Sequence, residues 1–173
     1  MKTIGIALGV ERLVAALPGG RRLETAETAD IGQAIADLKA QSGMAEARVS
    51  VALVPPLIAV RRVKLPPMRG EERHRVLERD AARHFVGVRE PQAVATDGSL
   101  AVALPTHLLE ELEAAIDAAG WRLDAVVPAH VAWAACLADG KHAIPVAPVA
   151  EVVEVRRRRM TDRMLLRHGD STV

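Results

Sequence analysis

Aromatic residues are nearly missing from these 173 residues: two Trp, one Phe and no Tyr. That argues against base-stacking platforms and aromatic ligand cages, which need several rings. The core must therefore be built from Ala, Val, Leu and Ile, and half of the chain is apolar. A single Cys excludes an internal disulfide and any cysteine-rich zinc site, and suits a reducing compartment. A dominant charge sign is lacking as well. The formal net charge is +1, so the chain as a whole is no polyelectrolyte binder. Long apolar runs are also missing. The longest, Ala125–Ala138, contains Pro128 and His130 and falls short of the roughly 18–20 residues a membrane-spanning helix needs. The apolar stretch Ile4–Val10 runs straight into Glu11 and Arg12, a poor signal peptide. Together these absences predict a soluble, cytoplasmic unit of ordinary domain size.

What is present is a change of period along the chain. Ile4, Ile6 and Leu8 alternate with smaller or polar residues, which predicts a strand. Glu11–Leu17 and Arg22–Ala26 follow across Gly9 and the Pro18-Gly19-Gly20 turn, so the opening reads as an antiparallel meander. Asp30 can cap a helix carrying Ile31, Ile35 and Leu38, which Gly43 ends. Val49, Val51 and Leu53 alternate again. After Pro55-Pro56 a strand is expected over Leu57–Leu65, with Arg62 and Lys64 on one face and Val63 and Leu65 on the other. A charged helix is expected over Arg69–Phe85, with Leu77, Ala81 and Phe85 as its apolar stripe and Glu71 four residues before Arg75. A strand near Ala93–Thr96, the Asp97-Gly98 hairpin signal and a strand through Leu100, Val102 and Leu104 come next. Thr106 can cap a helix carrying Leu108, Leu112 and Ile116, which Gly120 ends. The strand Arg122–Val127 leads through Pro128 into a helix reaching Leu137. Ile144–Ala150 reads as a linker or an edge strand. Glu151–Arg158 and Arg163–His168 read as a charged hairpin around Met160-Thr161-Asp162.

The residues that could carry chemistry are few. Gly9 follows a buried strand, but the phosphate-binding glycine patterns are missing, so it reads as a tight turn. Cys136 sits in an apolar helix with nothing nearby to activate a thiol, so a buried structural role is expected. His74 and His84 lie roughly 80° apart around one helix, and no metal-ligand spacing occurs. Glu71, Glu72, Glu110, Glu111 and Glu113 read as solvated helix faces. Arg75, Arg79 and Arg83 form a stripe spaced i, i+4, i+8, which is either a solvated face or a partner surface. In Arg156–Arg159, side chains on a strand would alternate between faces, so a charged edge hairpin is expected instead of one dense patch.

The order of elements resembles the first lobe of the actin-like ATPase fold with a small subdomain inserted. Val49–Pro55 (VSVALVP), Val60–Met68 (VRRVKLPPM), Val76–Phe85 (VLERDAARHF), Leu100–Pro105 (LAVALP), Ala118–Trp121 (AAGW) and Leu123–Ala132 (LDAVVPAHVA) resemble the PilM family of type IV pilus assembly proteins. The cytoplasmic domain of the type II secretion protein GspL has a similar layout. The resemblance covers residues 2–138. It departs from the family in three places. Ala7-Leu8-Gly9 stands where nucleotide-binding relatives carry Asp-x-Gly, Val86-Gly87 stands where the family has a Pro, and the second lobe is lacking.

The resemblance implies an α/β, ribonuclease H-like (actin-like ATPase) lobe with an inserted small α+β subdomain. Its expected parts are a core of residues 1–54 plus 121–140, an insert of 55–120, and a linker and charged hairpin over 141–173 that is the remnant of a second lobe. It implies a non-enzymatic platform or adaptor of a type IV pilus or type II secretion assembly at the inner-membrane face, with no cofactor and no metal. Expected partners are the cytoplasmic tail of a PilN-like or other membrane protein, an assembly ATPase, and a second copy of the chain; nucleic acid is not expected. A peptide groove is expected at the insert's first strand, with Arg61, Arg62, Val63 and Leu65 as candidates beside the Arg75, Arg79 and Arg83 stripe. Packing of the insert is the competing reading of those residues. Two alternatives are an actin-like ATPase fragment lacking its other lobe and a nucleic-acid adaptor using the arginine-rich hairpin.

Overall fold

The computed structural model describes residues 2–26, 30–85, 92–96, 100–146 and 149–166. The chain divides into two compact units, Met1–Val126 and Val127–Val173. No helix among the described residues is long and apolar enough to cross a membrane.

The first unit opens with three strands, β1 (Lys2–Leu8), β2 (Arg12–Ala16) and β3 (Arg22–Ala26). The Gly9 N–H donates to Arg12 O at 3.0 Å and closes the first turn. Helix α1 (Ile31–Ser42) begins where Asp30 Oδ1 accepts the Gln33 N–H at 2.9 Å and ends where Gly43 takes a left-handed φ of 67°. Strand β4 (Ala47–Leu53) then returns parallel to β1, placing Val49 beside Ile4 and Val51 beside Ile6. With β8 (Arg122–Pro128) they form a five-stranded sheet of order β3-β2-β1-β4-β8. Alternation puts Ile4, Ile6 and Leu8 on one face, and all three are buried with Ile35 and Leu38 of α1.

Between β4 and β8 lies the insert: β5 (Ala59–Arg62), α2 (Gly70–Arg79), α3 (Ala81–His84), β6 (Gln92–Thr96), β7 (Leu100–Pro105) and α4 (Thr106–Ala118). Its strands form an antiparallel sheet of order β5-β7-β6. Val63, Leu77, Phe85, Val94, Ala101 and Ala103 make a small core of their own. Helix α4 buries Leu108, Leu112 and Ile116 in the main core with the five-stranded sheet and α1.

Two expected elements are shorter than their patterns suggest. Strand β5 runs from Ala59 to Arg62, because Arg62 already faces Leu100, the first residue of β7, and among the described residues the ladder has no further partner. The expected helix Arg69–Phe85 breaks at Asp80 (φ −103°, ψ 16°) into α2 and α3. Its apolar stripe survives, with Leu77 and Phe85 buried and Ala81 packed against them. The Asp97-Gly98 and Val86-Gly87 positions lie outside the described residues.

The second unit contains α5 (Ala129–Cys136) and a three-stranded antiparallel sheet of β9 (Gly140–Val146), β10 (Val149–Arg156) and β11 (Arg159–Leu166), in the order β11-β10-β9. Of the two readings of Ile144–Ala150, linker or edge strand, the second holds for Ile144–Val146, which end the edge strand β9. The β10–β11 turn falls at Arg157-Arg158, not at Met160–Asp162. Val153, Val155 and Ala134 form its buried core. Cys136 is exposed, which corrects the expectation of a buried thiol. Ala134 faces inward, and a residue two positions later points about 200° away around a helix.

Candidate partner-docking surface

Strand β5 is one edge of the insert's sheet, with β7 between it and β6. Helix α2 packs against β6, the far edge. Neighbouring strands lie about 4.8 Å apart, so the two edges are roughly 10 Å apart. The structure therefore separates the candidate residues into two groups. Arg61 and Arg62 stand exposed on β5, and Arg61 Nη1 donates to the Val60 carbonyl at 3.0 Å. Val63, buried to 6% exposure, and the partly buried Leu65 pack into the insert's own core. These two residues hold the segment after β5 down and leave its charged neighbours, Arg61, Arg62 and Lys64, facing solvent.

The arginine stripe is less regular than its spacing suggests. Arg75, Arg79 and Arg83 are all exposed, but the break at Asp80 places Arg83 on α3, so the stripe does not run along one helix. Arg79 is engaged as well. Its Nη2 donates to Asp80 Oδ2 at 2.9 Å and its Nε to Asp80 Oδ1 at 3.3 Å. That hydrogen-bonded pair holds the Asp80 carboxyl below the usual carboxylate range, with Arg83 and His84 adding to the effect.

The end of β1 carries the Ala7-Leu8-Gly9 segment. Leu8 is buried, Ala7 is half-buried, and Gly9 makes the turn to β2. None of the three carries a carboxylate that could organise a magnesium ion. Among the described residues there is no group of three or more His, Cys, Asp or Glu that could hold a metal. Sequence reasoning passed over one concave surface, an open cleft of about 760 Å³ lined by Glu110, Glu113 and Asp117 of α4 with Trp121, Arg122 and Leu123. Its signal is the i, i+3, i+7 spacing of the three carboxylates, which also describes an ordinary solvated face.

The sequence matches no family profile and no curated protein. Among solved structures, 96% of the chain superposes on the PilM-PilN type IV pilus biogenesis complex with a TM-score of 0.70 at 13% identity, covering 62% of that chain. It also superposes on the cytoplasmic domain of EpsL, an inner-membrane component of the type II secretion system of Vibrio cholerae (TM-score 0.62, 15% identity, 96% of this chain and 71% of that one). The fold is actin-like. A protein of unknown function from Bacteroides thetaiotaomicron with an actin-like ATPase fold agrees, at TM-score 0.58 and 10% identity, over 96% of this chain and 70% of that chain. The resemblance to PilM and GspL read from the sequence holds in three dimensions, and at these identities it is a likeness of fold.

Proposed function

We propose that this chain is a non-enzymatic platform component of a type IV pilus or type II secretion assembly. It would work at the cytoplasmic face of the inner membrane, where it docks the cytoplasmic tail of a membrane protein. The superposition of nearly the whole chain on the PilM-PilN complex carries this reading. The actin-like lobe positions the insert, and the insert carries β5 as an edge strand of its sheet. An extended tail adds there as a further strand by backbone pairing. Arg61 and Arg62 contact its acidic or carbonyl groups, while Val63 and Leu65 fix the segment that follows.

The direct test titrates the tail peptide of a co-encoded PilN-like or GspL-partner membrane protein onto the full chain by calorimetry. Saturable binding is expected. Arg61→Glu with Arg62→Glu should weaken it about a hundredfold, the size of two lost charge-assisted contacts at about tenfold each. Absence of binding would refute the docking role. The non-enzymatic part has a separate check, in which a fluorescent ATP analogue is added to the chain. Without a carboxylate at Ala7-Leu8-Gly9, no binding is expected at micromolar concentrations, and micromolar affinity would overturn that part.

A further inference from the structure

We propose that the tip of the β10–β11 hairpin, Arg156–Arg158, is a contact for an anionic lipid surface. Arg157 and Arg158 form the two-residue turn, and both have positive φ, 51° and 60°. Such a turn suits Asn-Gly, because residues with a side chain disfavour the left-handed region. Two long cationic side chains held there form a local outlier of the kind that points to function. The turn is fixed from below, where the Arg157 N–H donates to Asp139 Oδ1 at 2.8 Å. Arg156, Arg157 and Arg158 are all exposed. Arg156 is paired with Glu154 at 2.8 Å, whereas no carboxylate pairs with the Arg157 or Arg158 guanidinium among the described residues. Strand alternation, expected to scatter the arginine run, does not apply at a turn, so the two guanidiniums project from one point.

The shape of the tip selects the partner. A two-residue point reaches one or two phosphates, while stable duplex binding rests on roughly six to ten. Single strands need exposed rings to stack on; of the chain's three aromatic rings Trp121 and Phe85 are buried, and Trp133 packs against the second unit's core. A bilayer instead presents anionic headgroups as a plane that a narrow tip can touch. Each arginine near such a surface raises partition about fivefold, so the unpaired couple contributes roughly 25-fold. That is weak alone and becomes useful when another attachment holds the chain at the membrane, a step that rests on the docking role proposed above.

The test sediments the full chain with phosphatidylcholine vesicles containing none or about 40% phosphatidylglycerol, at about 0.05 M and about 0.3 M salt. Partition onto the anionic vesicles is expected at low salt and should be lost at high salt. The variant Arg157→Asn with Arg158→Gly gives the turn its preferred residues. It should therefore melt at a higher temperature than the parent while losing about 25-fold in anionic partition, which separates lost binding from lost folding. Partition that ignores phosphatidylglycerol would overturn the proposal, as would an Asn-Gly variant that binds like the parent. A duplex nucleic acid binding more tightly than the vesicles at equal salt would also overturn it. Vesicle binding is read without the tail peptide, so a failure of the docking role leaves this result standing.

Discussion

Lys39 holds together parts of the first unit that lie far apart in sequence. It sits in the last turn of α1, where a cation complements the helix dipole. Its Nζ donates to the carbonyl of Ala45 at 2.9 Å and to that of Ala119 at the end of α4, and it lies 5.6 Å over the Trp121 ring. Trp121 in turn donates its indole N–H to Met44 O at 3.0 Å. Lys39→Met keeps the aliphatic stem and removes the charge and both hydrogen bonds. It should cost about 1–3 kcal/mol in urea unfolding. Asp80 offers a pH prediction. Its carboxyl is held below the ordinary range in the folded chain, so its contribution is present above the unfolded pKa and is lost as pH falls through the folded one. The pair is a surface one and the effect small, so Asp80→Asn should slightly flatten the acid limb of the stability–pH curve. At this scale the sequence is legible where signals are local. Asp30 and Gly43 cap α1 as their types predict, whereas nothing near Lys39 announces partners as far along the chain as Ala119 and Trp121.

Elements were legible from their periods and misjudged at their ends. The alternation of Ile4, Ile6 and Leu8 and the helical spacing of Leu108, Leu112 and Ile116 state which faces are buried, and all six are. Where β5 stops depends on where β7 starts, and where the arginine hairpin turns depends on its pairing with β9 and α5. Neither is a property of the segment itself. The break at Asp80 lacks the Gly or Pro that would mark it. Leu77 is wholly buried in the insert's small core with Phe85 and Val94. Leu77→Ala should therefore destabilise by about 2–4 kcal/mol, and hydrogen exchange should show the loss of protection concentrated in β5–β7 and α2.

For the molecule as a whole, the order of elements and the segments quoted above resembled an actin-like lobe with an insert, and the fold agrees with that resemblance. The C-terminal sheet was read only in part. Its β9 contains Pro145 and lacks clean alternation, the signal on which a strand is recognised. The buried residues of both cores of the first unit lie within residues 4–121, and the partly buried ones packed against them reach Val126. A fragment of residues 1–128 should therefore unfold cooperatively in urea with an m-value fitting its own size. A broad, non-cooperative transition would show that the second unit is required.

The scarcity of aromatic side chains has a practical consequence. The only two tryptophans fall one to each unit: Trp121 is 4% exposed in the first, and Trp133 is half-buried in the second. With no tyrosine to contribute emission, the fluorescence of a Trp133→Phe chain reports the first unit alone, and that of a Trp121→Phe chain the second. The protein thus carries its own pair of optical labels, and the order in which the two parts open can be followed without attaching a dye.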